Sequence, residues 1–359
     1  MIYSNMIKAA YIHIPFCRNI CKYCDFSKMY INNDLINKYL ISLEKEINKN
    51  YKKEVLKTIY IGGGTPSSLN IKQLKKLFSI LKVLKKEKEY EFTFECNVED
   101  INEELLILLK KNRVNRLSIG VQSFNKKVLN ILGRNINCNY IKNIKLAKKY
   151  FSNISIDLIY GVNNETLFDL KKDLKKIIKL GINHVSLYSL ILEDNTILKI
   201  NNYKELSDEK VYKMYNYINK ILKKHRFTHY EISNYSKEGY SSIHNLTYWN
   251  NNQYYGFGLS ASGFVNGYRY TNTRSINNYI NGKYIKEKYK VSKREDMENF
   301  MILGLRKLKG VSSSEFKKRY NKDIDKVFDL KKLKYKNDMY YISEEDMYVS
   351  NSILVDFIN

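Results

Sequence analysis

Short apolar runs alternate along this chain with longer stretches in which apolar residues return every third or fourth place. These are the periods of buried strands and amphipathic helices. The runs predict strands at Ala9–Ile14, Thr58–Ile61, Glu91–Glu95, Arg116–Gly120, Asn153–Tyr160 and His184–Leu190. The helical period predicts helices over Asp34–Asn50, Ile71–Leu84, Glu103–Asn112, Tyr140–Tyr150 and Leu167–Leu180. Asn33 or Asp34, Asn70 and Asn102 stand where N-caps belong, since a short side-chain acceptor can take a free N–H of the first turn. Repeated strand–helix alternation calls for a parallel α/β sheet, open or barrel-like, with ligands at the C-terminal ends of its strands.

After Leu190 the rhythm changes. A helix over Asp208–His225 and a strand over Thr228–Ser233 lead into a Gly- and aromatic-rich stretch, Tyr248–Tyr270. From about Val291 the chain reads as a small helical module, with strand-like pieces at Met339–Ile342 and Tyr348. The expected division is a core domain over 1–235, a connecting segment over 236–290 and a small C-terminal domain over 291–359. No internal repeat is visible.

The formal charge of +25 invites a nucleic-acid reading. The lysines, however, are spread over most helices, as in Lys171–Lys179, and read as solvated helix faces. Lys, Asn, Ile and Tyr are inflated together while Pro and Ala are scarce, as in an AT-biased genome. Attraction to acidic surfaces, anionic lipid headgroups included, stays open. No apolar run is long enough to span a bilayer, and the N-terminus lacks the zones of a signal peptide, so the expected location is cytoplasmic, with peripheral membrane association open.

That bias makes the scarce residues informative. Both prolines, Pro15 and Pro66, and the single tryptophan, Trp249, sit in motifs, and five cysteines in such a chain suggest metal chemistry more than disulfides. The strongest motif is Cys17-x3-Cys21-x2-Cys24, directly after the first strand. Three thiolates from one loop can bind three irons of a cubane cluster and leave the fourth iron open, whereas a structural zinc site would want a fourth ligand. Gly62-Gly63-Gly64-Thr65-Pro66 follows the second strand, where glycines let the backbone approach a ligand.

HIPFCRNICKYCDF resembles the cluster loop of radical S-adenosylmethionine (SAM) proteins. The resemblance implies a partial (β/α)6 TIM-like barrel, followed here by a small, mainly helical, winged-helix-like domain. It also implies a [4Fe–4S] cluster on Cys17, Cys21 and Cys24, whose free iron chelates SAM and which, once reduced, cleaves it to a 5′-deoxyadenosyl radical. Further residues match SAM contacts of that family in order: Gly63, Gly64 and Thr65; Glu95 as the ribose-binding acid; Gln122, Arg134 and Asp157; and Tyr11 and Tyr23 as aromatic neighbours. Val98 replaces a proline expected after that acid, which alters the turn. Cys96 and Cys138 match no cluster position and read as buried apolar groups.

Over roughly Tyr11 to Leu190 the motifs are similar to the group around oxygen-independent coproporphyrinogen III oxidase, and most similar to its haem-chaperone branch. Phe26 stands where the oxidase has a further loop cysteine, and the oxidase carries a longer segment before its cluster loop. His244-Asn245-Leu246-Thr247-Tyr248-Trp249 resembles the HNxxYW motif of the chaperones. His244 would ligate haem iron, Tyr248 and Trp249 would pack on the porphyrin, and Asn245 would orient the imidazole or meet a propionate. His225 and His229 read as structural or surface residues.

The expected function is a haem chaperone that binds cluster, SAM and haem and delivers haem to an acceptor such as a respiratory oxidase, with a low-potential electron donor as a further partner. Catalytic residues are unassigned, weak homodimerisation stays open and no nucleic acid is expected. The alternative is a coproporphyrinogen III oxidase that decarboxylates propionates to vinyl groups. A more distant one is a radical SAM enzyme modifying transfer RNA.

Overall fold

The apolar runs pair side by side in chain order. The computed structural model of the protein describes residues 7–134 and 138–358; part of the N-terminal stretch read above for a signal, residues 1–6, lies outside them. Numbering the strands of the main sheet alone, β1 is Ala9–Ile14, β2 Leu56–Gly63, β3 Lys86–Asn97, β4 Arg116–Gln122, β5 Asn153–Tyr160 and β6 His184–Ser189. Each is parallel to the next. β7 (Thr228–Glu231) and β8 (Asn234–Ser236) continue antiparallel beyond β6, and β9 (Tyr255–Phe257) adds in parallel outside β1. The order across the sheet is β9-β1-β2-β3-β4-β5-β6-β8-β7.

Helices cover the outer face of this sheet, bringing Tyr39, Leu43, Leu74, Leu106, Ile144 and Leu174 into one core with the strands. The long helix after the cysteine loop runs Asn33–Asn50 and is capped by Asn32, whose side chain accepts from Leu35 N at 3.0 Å. Asn33, one of the two expected caps, instead accepts from Gln73 Nε2 at 3.1 Å, tying two helices together. Asn70 and Asn102 cap their helices as expected, Asn70 in a reciprocal pair with Gln73.

The other face is polar, and the pleat explains why. On β3 to β6 every second residue, Glu91, Thr93 and Glu95, then Arg116 and Ser118, Ser155 and Asp157, His184 and Ser186, points to one side. The register aligns them in rows, such as Glu95–Ser118–Ser155–His184. This inner face carries the site.

From Val291 the tail builds a second, smaller core around Met301, Phe316, Tyr320 and Phe357. It combines the helices Lys293–Gly304 and Ser313–Tyr320 with three short antiparallel strands. Tyr348 is not a strand residue but lies in a 3-10 turn, Asp346–Val349, where its ring meets Tyr212 and Tyr215 at 5.0 and 5.2 Å. The module is fastened to the body by Ile232 N donating to Arg306 O (3.0 Å) and Asn251 Nδ2 to Asp296 Oδ1 (2.8 Å). Among the described residues no helix is long and apolar enough to cross a membrane.

Candidate functional site

The cysteine loop is pinned at both ends. Phe16–Cys17 pairs with Met29–Tyr30, Met29 N donates to Pro15 O (2.7 Å), and His13 Nε2 lies 2.8 Å from Ser27 O. Those bonds hold the thiols of Cys17, Cys21 and Cys24, all unbridged, at one end of a cavity of about 380 Å³. Thr65 Oγ1 donates to Cys17 Sγ at 3.4 Å. Burial pushes the Cys17 thiol up to about 11 and raises that of Cys24, so their thiolates need a cation beside them, and iron would supply it. Among the described residues no three His, Cys, Asp or Glu side chains converge as they would round a single ion. Cys96 is buried at the end of β3, off the loop, and Cys138 is half-buried rather than buried.

β2 ends in Gly62 and Gly63, with Gly64 just beyond, because side chains have no room there. A Cβ on Gly62 would lie 2.7 Å from the Glu95 carboxyl, one on Gly63 2.5 Å from the His13 ring, and one on Gly64 2.8 Å from the backbone of Pro15. Gly63 also has φ +114°, which L side chains rarely adopt. The result is a bare stretch of backbone that lines the cavity beside the thiols.

The neighbouring strand ends supply polar groups to the same cavity. Glu95 accepts from Gly63 N (3.0 Å) and from the Tyr60 hydroxyl (2.7 Å), and its burial pushes the carboxyl up to about 7. Asp157 accepts from Ser118 Oγ (3.0 Å) and is likewise raised by burial. Gln122 closes β4 in the left-handed region, φ 66°, a conformation that non-glycine residues adopt where the surroundings hold them to it. Arg134 is fixed by Asn97 and the Glu99 carboxylate, each at 3.0 Å. Val98, in place of the expected proline, is buried, opens a 3-10 turn and leaves Glu95 facing the cavity. Tyr23, Gly63, Gly64, Thr65, Glu95, Gln122, Arg134 and Asp157 thus share one space with the cysteines. Tyr11 does not: it lines the adjoining cavity, its hydroxyl 3.0 Å from His13 Nδ1.

That second cavity, about 880 Å³, is walled by the HNLTYW segment, which is a helix, Ile243–Trp249, capped by Ser242. His244 and Tyr248 are four residues apart and so share a face, where Nε2 and the tyrosine hydroxyl lie 2.8 Å apart. His244 Nδ1 meets Thr58 Oγ1 at 2.7 Å, and the ring packs 5.1 Å from that of Tyr60. Burial, with a smaller contribution from Arg116, pushes the imidazole down to about 3, so it is neutral at ordinary pH, the state in which it can bind a metal. Asn245 lines both cavities. Trp249 is not brought together with these residues: it points away toward the C-terminal module, 5.6 Å from the Arg306 guanidinium. The helical turn explains the split, since residue 249 lies on another face from 244 and 248.

Several inner-face residues went unnoticed in the sequence. Thr58 holds His244. Tyr60 lies between His244 and Glu95, and also lines both cavities. Glu91, four residues before Glu95 on the same strand, accepts from Ile243 N and His244 N at 3.0 and 2.9 Å, a carboxylate on the first turn of the histidine helix. Their signal was the polar residue at every second place within otherwise apolar strands.

Two family models match the chain. The model of the Radical SAM superfamily matches residues 11–177, and that of the HemN C-terminal domain matches residues 291–349. The chain is 41% identical to the haem chaperone HemW of Lactococcus lactis over 331 residues, covering 89% of this chain and 87% of the relative. It is 39% identical to the haem chaperone HemW of Bacillus subtilis (90% and 89% covered) and 31% to that of Escherichia coli (85% and 84%). Coproporphyrinogen III oxidase (HemN) from Escherichia coli, a solved structure, superposes with a TM-score of 0.86 at 19% identity, over 98% of this chain and 90% of that one, and shares the fold.

Proposed function

The chain belongs to the HemW family, within the radical SAM superfamily, and from that premise we propose that it is a haem chaperone holding a [4Fe–4S] cluster, SAM and haem in adjoining spaces. The observation that carries this reading is the shared wall. Tyr60, Glu95, Asn245 and Cys24 itself line both cavities; Cys17 and Cys21 border only the first, and the neutral, buried His244 borders only the second.

Cys17, Cys21 and Cys24 would hold the cluster, the glycine backbone and Thr65 the amino-acid end of SAM, and Glu95 its ribose. When bound, cluster and SAM together supply an open iron and a reductive route to a carbon radical. The protein's own part is positional. In the tautomer protonated at Nδ1, His244 would donate to Thr58 Oγ1, 2.7 Å away, and keep Nε2 basic, and Nε2 is the atom that would face haem iron once the Tyr248 hydroxyl swings aside. Haem would leave for an acceptor such as a respiratory oxidase, with a low-potential donor reducing the cluster. The basic, cytoplasmic protein would meet a membrane acceptor at the bilayer surface, as a monomer or weak homodimer.

Anaerobically reconstituted protein titrated with haem tests this reading. Stoichiometric uptake that fails in His244→Ala, with no product from coproporphyrinogen III, SAM and reductant, is the expected result. Turnover to protoporphyrinogen without haem uptake would overturn it.

A further inference from the structure

Arg116 opens β4 and is 2% exposed, yet its guanidinium makes no hydrogen bond or ion pair with any described residue, and its Nε is fully enclosed without a partner. Such a group is rare: a guanidinium carries five donors, and leaving them unmet in the interior is costly. The side chain lines the first cavity, on the inner face, one pleat deeper than the row that contains Glu95 and Ser118. Glu95 and Asp157 feel its charge through space, but neither bonds to it. The register puts Arg116 opposite Thr93, which lies opposite Tyr60, the residue that packs on His244. With strands about 4.8 Å apart, Arg116 is thus roughly 10 Å across the sheet from Tyr60. That is comparable to the reach from the iron of a metalloporphyrin to its propionate oxygens.

We propose that Arg116 is an anion-binding residue at the floor of the first cavity, taking a carboxylate of the bound tetrapyrrole. The proposal rests on the haem reading above and adds to it a polar anchor that fixes which edge of the ring faces the inner side of the sheet. A planar guanidinium suits a carboxylate because two parallel N–H groups can meet its two oxygens.

The test compares haem with haem dimethyl ester, which lacks the carboxylates, on protein loaded with cluster and SAM. Wild type is expected to prefer the free acid by roughly tenfold or more, the usual range for a charge-assisted pair. Arg116→Met is expected to bind both alike, while its ligand-free form melts no lower than wild type, because an unpaired buried charge has been removed. A merely structural arginine would give the reverse, a lower melting temperature with the preference intact. Arg116→Lys keeps the charge and guards against misfolding of the Met variant: it retains part of the preference, and complete loss in a folded Lys variant contradicts a charge-based site. Equal binding of the two ligands by wild type overturns the proposal alone, whereas no haem uptake by wild type overturns the haem reading and the proposal with it.

Discussion

The hydroxyl of Tyr248 lies 2.8 Å from Nε2 of His244, so the imidazole nitrogen proposed to take iron is already engaged by a neighbour on its own helix. Haem bound through His244, as proposed, would have to displace that contact. A hydrogen bond of this kind is worth about 1 kcal/mol net, or roughly fivefold in affinity. Tyr248→Phe is therefore expected to bind haem tighter and faster, read from the Soret band in stopped-flow titrations. Weaker binding would mean that the phenol grips the porphyrin more than it blocks the imidazole.

If Glu95 holds the SAM ribose as proposed, it gives SAM binding a pH dependence. Its carboxyl, pushed up to about 7 by burial, loses acceptor capacity when protonated, so SAM affinity is expected to fall as pH drops through 7. Glu95→Gln should flatten that profile at the weaker level. Anaerobic calorimetry between pH 6 and 8 measures it, and an unchanged slope in the variant places the titrating group elsewhere.

The glycine cradle has no slack at Gly63. An added methyl group meets the His13 ring at 2.5 Å from a backbone already at φ +114°. Gly63→Ala is expected to lower stability by roughly 2 kcal/mol and to weaken SAM binding. Denaturant unfolding checks the first and calorimetry the second, and a variant indistinguishable from wild type in both would contradict the close approach.

How the sequence and the structure compare depends on which kind of signal a residue carries. β1 and β5, and the helices Tyr140–Tyr150 and Leu167–Leu180, have the ranges that hydrophobic periodicity predicts, because the strands are buried on both faces and each helix buries one stripe. The cysteine and glycine motifs were legible as local spacing. The HNLTYW helix was not, since seven residues are too few to show a helical period; the five-residue step from His244 to Trp249 turns their side chains about 140° apart, so the motif does not act as one face. Thr58, Tyr60, Glu91 and Arg116 were hidden for another reason. Their meaning lies in the lateral register of four strands, which no single run of sequence contains.

Away from the site, His229 is buried against Tyr235, ring centroids 4.2 Å apart, and burial pushes it down to about 4. A lowered histidine stabilises the fold above its unfolded value near 6.5, and that contribution is lost as pH falls toward 4. The shift corresponds to about 3 kcal/mol over that window. Urea unfolding at pH 7 and pH 5 should show stability falling with acid, and His229→Gln should reduce the fall. An equal fall in the variant would assign it to other groups.

The most direct test of the account is the electron paramagnetic resonance spectrum of the anaerobically reduced protein, recorded with and without SAM. Three loop thiolates with a vacant iron corner predict a [4Fe–4S]⁺ signal that shifts when SAM is added and is missing after Cys17, Cys21 and Cys24 are changed to alanine. A signal indifferent to SAM, or one that survives the triple change, would contradict it.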